Sequence, residues 1–134
     1  MAKRPRVLDS WAVIEFFENQ PAADKVEAIL IEAHDSSTPL LISVVNLGEV
    51  WYNIVRGHSE AEANRVIREL GQLGVEVVDA DWELTKQAAM FKAKGNISYA
   101  DCFAAALTKL RKAEVVTGDK EFKQVEGDVK ILWL

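Results

Sequence analysis

Apolar positions along the chain follow two alternating patterns. Short apolar runs, several rich in β-branched residues, predict strands at 6–8, 40–43, 75–78, 114–117 and 130–132. Between them, apolar residues recur every three or four positions, which predicts helices at 10–17, 22–33, 46–56, 59–73, 81–94, 98–112 and 120–124. This alternation predicts an α/β fold, with a parallel β-sheet flanked by helices on both faces.

Polar residues mark where several of these helices begin. Ser59 and Glu62 have the spacing of a capping box, in which each side chain satisfies a free backbone N–H group of the other residue. Asp81 and Ser98 stand at the starts of two later helices, where their oxygens can accept hydrogen bonds from backbone N–H groups. The predicted boundaries therefore rest on hydrogen-bonding chemistry as well as on periodicity.

The composition is that of a globular protein. The chain has 134 residues, which fits one domain spanning 1–134, and hydrophobic residues make up 49% of it. Its one cysteine, Cys102, excludes an internal disulfide and fits a reducing compartment. No apolar run approaches the roughly 20 residues of a membrane span, and the basic segment 1–6 lacks the apolar core of a signal peptide. We therefore expect a cytoplasmic protein.

The net charge of −5 counts by itself against a nucleic-acid partner, because affinity for phosphate comes mainly from Lys and Arg. That objection weakens if several acidic residues are concentrated at one metal site, since a bound divalent cation reverses the local field. The net charge therefore leaves nucleic-acid binding open.

Four acidic residues fall where such a fold would bring them together. Asp9 and Asp119 follow the ends of predicted strands, Glu49 lies one turn into a helix, and Asp101 lies in the first turn of another. Each has an ordinary alternative role as a cap, a turn residue or a solvated acid. Helices in doubly wound folds begin at the edge where the strands end, so all four carboxylates can reach one crevice there. Clustered carboxylates repel one another, and a hard cation such as Mg²⁺ removes that penalty.

Four segments in this order resemble the acidic motifs of the PIN-domain family, and most closely those of the VapC-type toxins of prokaryotic toxin–antitoxin pairs. The segments are VLDSWA at 7–12, NLGEV at 46–50, ISYADCFAAA at 97–106 and VTGDKEF at 116–122. Each motif is short, but the four together extend over essentially the whole chain with suitable gaps. Trp11 stands where many members have a smaller residue.

The resemblance implies a ribonuclease that cleaves RNA with a water activated by Mg²⁺ or Mn²⁺. By motif position, the metal-binding and catalytic acids are Asp9, Glu49, Asp101 and Asp119. Ser10 and Thr117 carry over as nearby hydroxyls that support the carboxylates, and Ser98 as the small polar residue ahead of the third acid. The family also implies pairing into a homodimer and a small antitoxin protein with an apolar helix and a basic tail.

Other functions remain open at this point. A DNA nuclease would use the same metal chemistry, and a catalytically idle PIN fold would serve only to bind RNA. An aspartyl-phosphate phosphatase is disfavoured because Trp11 occupies the position where a second Asp is usual, two residues after Asp9. A receiver-type signalling domain would need paired acids after the first strand and a Lys after the last, and the order of residues here does not match.

Overall fold

Five parallel strands form one sheet in the computed structural model, which describes residues 3–134. Met1 and Ala2 of the basic N-terminal segment lie outside the described residues. The strands are β1 (Arg6–Leu8), β2 (Leu40–Ser43), β3 (Val75–Val78), β4 (Glu114–Thr117) and β5 (Lys130–Trp133). They lie in the order β3-β2-β1-β4-β5, and every neighbouring pair is parallel. The predicted parallel sheet is confirmed, and its last strand extends one residue further than predicted.

The helices follow the predicted pattern closely. They are α1 (Ser10–Phe17), α2 (Ala23–Ser36), α3 (Val44–Gly57), α4 (Glu60–Gln72), α5 (Trp82–Lys94), α6 (Tyr99–Leu110) and a 3₁₀ helix (Lys120–Val125). Helix α3 begins two residues earlier than predicted because the Ser43 hydroxyl accepts hydrogen bonds from the N–H groups of Val45 and Asn46. Helix α6 ends two residues earlier than predicted, since Lys112 adopts a φ of 51° that a helix cannot continue.

Only half of the predicted capping box forms at the start of α4. The Ser59 hydroxyl accepts a hydrogen bond of 3.1 Å from the Glu62 N–H group, as expected. The Glu62 carboxylate instead accepts a hydrogen bond of 2.9 Å from Arg65 Nε, one turn further along the helix. A charged partner on the same helix face therefore replaces the expected reciprocal bond.

Two apolar cores cover the two faces of the sheet. Alternate residues of the central strands point to opposite sides, so Val7 and Val115 pack against α5 and α6, whereas Leu8 and Val116 pack against α1 to α4. This arrangement confirms helices on both faces. Among the described residues, no helix combines the length and the hydropathy needed to cross a membrane.

The strand order places a crevice at the middle of the sheet. The chain leaves β1 toward β2 on one side, and β4 occupies the other side of β1. In open parallel sheets, ligands bind beyond the carboxyl ends of the strands at such a point, where the direction of winding reverses. Asp9 follows β1 and Asp119 follows β4 by two residues, so both lie at this position.

Candidate active site

Asp9 lies at the centre of the crevice and is fully buried. It is the N-cap of α1, where Oδ1 accepts a hydrogen bond of 2.8 Å from the Ala12 N–H group. Its Oδ2 accepts a hydrogen bond of 2.5 Å from the Thr117 hydroxyl at the end of β4. The carboxylate is therefore held from two elements that are far apart in sequence.

Thr117 continues the hydrogen-bonded chain toward Asp119. The Thr117 hydroxyl oxygen accepts a bond of 3.0 Å from the Asp119 N–H group. Asp119 in turn caps the 3₁₀ helix, because its Oδ1 accepts a bond of 2.9 Å from the Glu121 N–H group. One hydroxyl thus couples the orientation of Asp9 to the backbone that carries Asp119.

Glu49 approaches the crevice from α3. The Ser10 hydroxyl donates a hydrogen bond to Glu49 Oε1, which joins α3 to the first turn of α1. One turn earlier on α3, the amide nitrogen of the buried Asn46 donates a bond of 3.0 Å to the Ala100 carbonyl. Helix α3 is therefore tied both to α1 and to the start of α6, the helix that carries Asp101.

Asp101 is a buried residue in the first turn of α6. The Ser98 hydroxyl caps this helix by accepting a bond of 3.3 Å from the Asp101 N–H group. One carboxylate oxygen from each of Asp101, Asp119 and Glu121 lies within 4.8 Å of the others. Oxygens at such separations can all coordinate a single cation.

Glu121 is an addition to the acids that the sequence predicts for this site. It stands two residues after Asp119, inside the fourth motif, and its side chain is exposed. The pattern predicts only a short helix there, in which positions two apart do not face the same way. The better indication is that Glu121 lies at the start of the 3₁₀ helix that Asp119 caps, directly after the end of β4 where the crevice lies.

Burial and mutual repulsion raise the pKa values of two of these acids. Removal from water, together with repulsion from Asp101 and Asp119, raises the pKa of Asp9 to about 8, although hydrogen bonds from Thr117 and Ala12 act in the opposite direction. Burial, together with repulsion from Asp119, Glu49 and Glu121, likewise raises the pKa of Asp101 to about 7, and a hydrogen bond with Ser98 opposes this rise. Each of the four predicted acids therefore interacts with at least one of the others.

The acidic cluster has no cationic partner among the described side chains. Among residues 3–134, no Lys, Arg or His forms an ion pair with Asp9, Glu49, Asp101, Asp119 or Glu121. The donor atoms are all oxygens, some from carboxylates and some from hydroxyls, and this is the set that Mg²⁺ and Mn²⁺ prefer. The residues present therefore fit a divalent cation, which would lower the pKa values of the surrounding acids.

The buried acid makes the stability of the metal-free protein depend on pH. Asp9 keeps its proton up to about pH 8 in the folded state, whereas an ordinary aspartate releases it near 3.8. The folded state therefore loses stability as the pH rises from about 4 to about 8, because the unfolded chain releases the Asp9 proton in this range and the folded chain still holds it. An Asp9→Asn variant carries no such charge, so we expect its free energy of unfolding relative to the wild type to rise by at least about 1.4 kcal/mol between pH 4 and pH 9.

Urea unfolding of both proteins in EDTA, at pH values from 4 to 9, measures this difference. Hydrogen bonds lost with the carboxylate change the stability of Asp9→Asn by a similar amount at every pH, whereas the buried charge makes the difference from the wild type vary with pH. An Asp35→Asn variant, altered at an exposed acid on α2, should follow the wild type at every pH. If the difference between Asp9→Asn and the wild type is the same at pH 4 and pH 9, Asp9 does not carry an unfavourable buried charge.

The family model of the PIN domain matches residues 6–128, which is most of the chain. The chain belongs to the PIN domain family. The sequence-based recognition of the family is therefore confirmed, and the acidic crevice described above is that of a PIN domain. Among curated proteins, none matches the sequence significantly.

Solved structures of toxin–antitoxin proteins share the fold of this PIN domain. VapBC2 from Rickettsia felis, bound to a promoter DNA fragment, matches with a TM-score of 0.77 and 15% identity over 95% of this chain and 96% of the other. DNA-bound VapBC from Salmonella typhimurium matches with a TM-score of 0.75 and 19% identity over 97% of this chain and 98% of the other. The sarcin–ricin loop cleaving toxin VapC20 from Mycobacterium tuberculosis matches with a TM-score of 0.70 and 17% identity over 92% of this chain and 95% of the other. At these identities, the likeness establishes a common fold.

Proposed function

We propose that this PIN domain is a metal-dependent endoribonuclease and the toxin of a type II toxin–antitoxin pair. The observation that carries the proposal is the placement of Asp9, Glu49, Asp101 and Asp119 around one crevice in which no Lys, Arg or His of residues 3–134 forms an ion pair with them. Such a crevice is costly for an apo protein and useful for one that holds a divalent cation. The similar fold of a toxin that cleaves an RNA loop supports RNA as the substrate.

In the proposed mechanism, the carboxylates of Asp101 and Asp119 would hold the cation together with those of Asp9 and Glu49. When bound, Mg²⁺ or Mn²⁺ supplies positive charge to the reacting phosphate and a lowered pKa to a coordinated water. Thr117 and Ser10 keep the Asp9 and Glu49 carboxylates in place by donating hydrogen bonds to them. Ser98 fixes the first turn of α6 and therefore the position of Asp101.

Cleavage of RNA should require Mg²⁺ or Mn²⁺ and should stop in EDTA, because no described cationic side chain can take over the role of the metal. Purified protein is incubated with single-stranded and structured RNA, and with DNA of the same sequence, with and without metal. Robust cleavage in EDTA excludes the mechanism. Cleavage of DNA in preference to RNA identifies another metal-dependent nuclease, and binding of RNA without cleavage identifies an idle PIN fold.

An antitoxin partner is the second part of the proposal. An apolar groove of about 470 Å³ opens between α1, α2 and the end of α4, lined by residues that include Phe16, Leu30, Ile31 and Leu73. Ile31 is 53% exposed there. An apolar helix of a small antitoxin would occupy this groove, as amphipathic helices commonly do. An Arg of its basic tail would enter the acidic crevice and form paired hydrogen bonds with the carboxylates.

A homodimer is the third part. Helix α3 exposes Val44 and Tyr52, and Tyr52 is 43% exposed with the Arg56 guanidinium 4.9 Å from its ring centre. The neighbouring Trp51 is half-buried and donates a hydrogen bond to Asn64, so Tyr52 is the aromatic residue of this pair that is free to contact a second subunit. Aromatic residues and Arg are enriched in such interfaces.

Light scattering at micromolar concentration should give the mass of a dimer for the wild type. A Tyr52→Asp variant should shift the mass toward that of a monomer, because it places charge in an apolar contact. Asn53→Asp, a change at the exposed neighbouring position, serves as the control and should remain a dimer. A fully active wild-type monomer contradicts the proposed dimer.

A further inference from the structure

Trp11 lies directly against Gly118 in the turn that leads to Asp119. A Cβ atom placed on Gly118 would lie 2.4 Å from Trp11 Cη2 and 2.6 Å from Cζ3, far closer than real atoms approach. The outer ring of the indole is therefore in contact with the backbone at this point. Trp11 is half-buried and also packs on the apolar core beneath α1.

Space, and not backbone conformation, explains the glycine at 118. Among the described glycines, only Gly74 has a positive φ, of 83°. Gly118 therefore has a backbone conformation that other residues can adopt, and the obstacle to any side chain there is the Trp11 ring. The two residues form a matched pair, in which a large side chain occupies the volume that the smallest residue leaves free.

This contact falls between the groups that orient the candidate site. Gly118 separates Thr117, whose hydroxyl binds Asp9, from Asp119, whose N–H group binds that same hydroxyl. A displacement of the backbone at 118 would lengthen both hydrogen bonds and move the Asp119 carboxylate. Trp11 belongs to α1, which begins with the Asp9 cap, so the ring joins the two segments that carry these acids.

We infer that Trp11 is a positioning residue: its indole, packed on Gly118, holds the 117–119 turn and thereby the Asp119 carboxylate at the distance from the Asp101 carboxylate that a cation requires. This inference rests on the proposed metal-dependent function. Residues that orient metal ligands from outside the coordination sphere typically alter metal affinity about 10- to 100-fold when they are changed. Loss of the Trp11–Gly118 contact should therefore weaken metal affinity by a factor in the same range.

The test is a double-mutant cycle of Gly118→Ala, Trp11→Phe and the double variant. Alanine at 118 forces the ring and the turn apart, and phenylalanine at 11 lacks the reach of Cη2 and Cζ3. Two readouts are used: Mn²⁺ affinity, and the hydrogen-exchange rates of the Asp119 and Glu121 amides, which the turn protects. We expect Gly118→Ala to weaken Mn²⁺ binding about 10- to 100-fold and to accelerate both amides.

The double variant should recover much of the lost affinity and protection, because the new methyl group occupies the space that the shorter ring vacates. The matched controls are Gly127→Ala, where an added Cβ meets no atom within 4 Å, and Trp82→Phe at a tryptophan that is 71% exposed. Both controls should behave as the wild type does.

The inference is overturned if Gly118→Ala leaves affinity and exchange unchanged, or if the double variant is no better than Gly118→Ala. Should Gly118→Ala fail to fold, folding of the double variant supports the pair, and Trp11→Phe alone must still accelerate the two amides. A wild-type protein that neither binds Mn²⁺ nor cleaves RNA defeats the proposed function, and amide exchange then decides the role of Trp11 by itself.

Discussion

An Asp101→Asn variant should lose RNA cleavage while keeping its fold. A divalent cation contributes several kcal/mol to stabilising a phosphate transition state, and about 1.4 kcal/mol corresponds to a tenfold change in rate. If Asp101 is needed to hold the cation, the expected loss is therefore about 1000-fold or more. Asn has the shape of Asp but offers only one neutral oxygen, which is a weak ligand for Mg²⁺.

Asp101 is better suited to this test than Asp9. Both Asp9 oxygens accept hydrogen bonds that tie α1 to β4, so its replacement alters structure as well as charge. In Asp101→Asn the backbone N–H bond to the Ser98 hydroxyl that caps α6 is retained, and an amide oxygen remains to accept the side-chain hydrogen bond with Ser98 that lowers the Asp101 pKa. Single-turnover cleavage at saturating metal gives the rate, and thermal unfolding verifies the fold. Asp35→Asn, at an exposed site on α2, should cleave at the wild-type rate.

Expression of the wild-type chain without a partner should arrest bacterial growth and degrade cellular RNA. Asp101→Asn should permit normal growth, because the fold remains while the metal site does not. The variant should still bind the antitoxin through the groove lined by Phe16, Leu30 and Ile31, which does not include the changed residue. Co-purification with the antitoxin, together with growth curves and RNA integrity, separates loss of catalysis from loss of structure.

The toxin proposal fails if the wild-type chain, expressed alone at the level of the variants, leaves growth and RNA intact. In that case the PIN fold and the acidic crevice still stand, and the chain has another role. An Ile31→Asp variant supplies the matched test of the groove. It should arrest growth as the wild type does, yet co-expression of the antitoxin should no longer protect the cell.

Much of the fold is predictable because the periodicity of apolar residues is strong and local. The strand at 40–43 and the helix from 81 to 94 follow from patterns within one segment, and the structure places them at β2 and α5. Helix α2 runs three residues beyond its predicted end at 33. Its end is set by Ser37, which adopts the left-handed conformation, whereas the apolar pattern used for the prediction stops before that residue. Local signals therefore place the elements and miss some of their ends.

The contacts within the site are less predictable because they depend on residues distant in sequence. The rule for the carboxyl edge of a sheet indicates that Asp9 and Asp119 lie near each other, but not that Thr117 joins them by two hydrogen bonds. The strand order β3-β2-β1-β4-β5, which brings Thr117 beside Asp9, leaves no local trace in the sequence. The packing of Trp11 on Gly118 is hidden for the same reason.

Anomalous diffraction from crystals soaked in Mn²⁺ tests the central claim most directly. A manganese peak should lie in the crevice, with carboxylate oxygens of Asp101 and Asp119 at coordination distance, and it should vanish in crystals of Asp101→Asn soaked in the same way. An empty crevice in wild-type crystals, under conditions in which the dissolved protein cleaves RNA with Mn²⁺, would contradict the account.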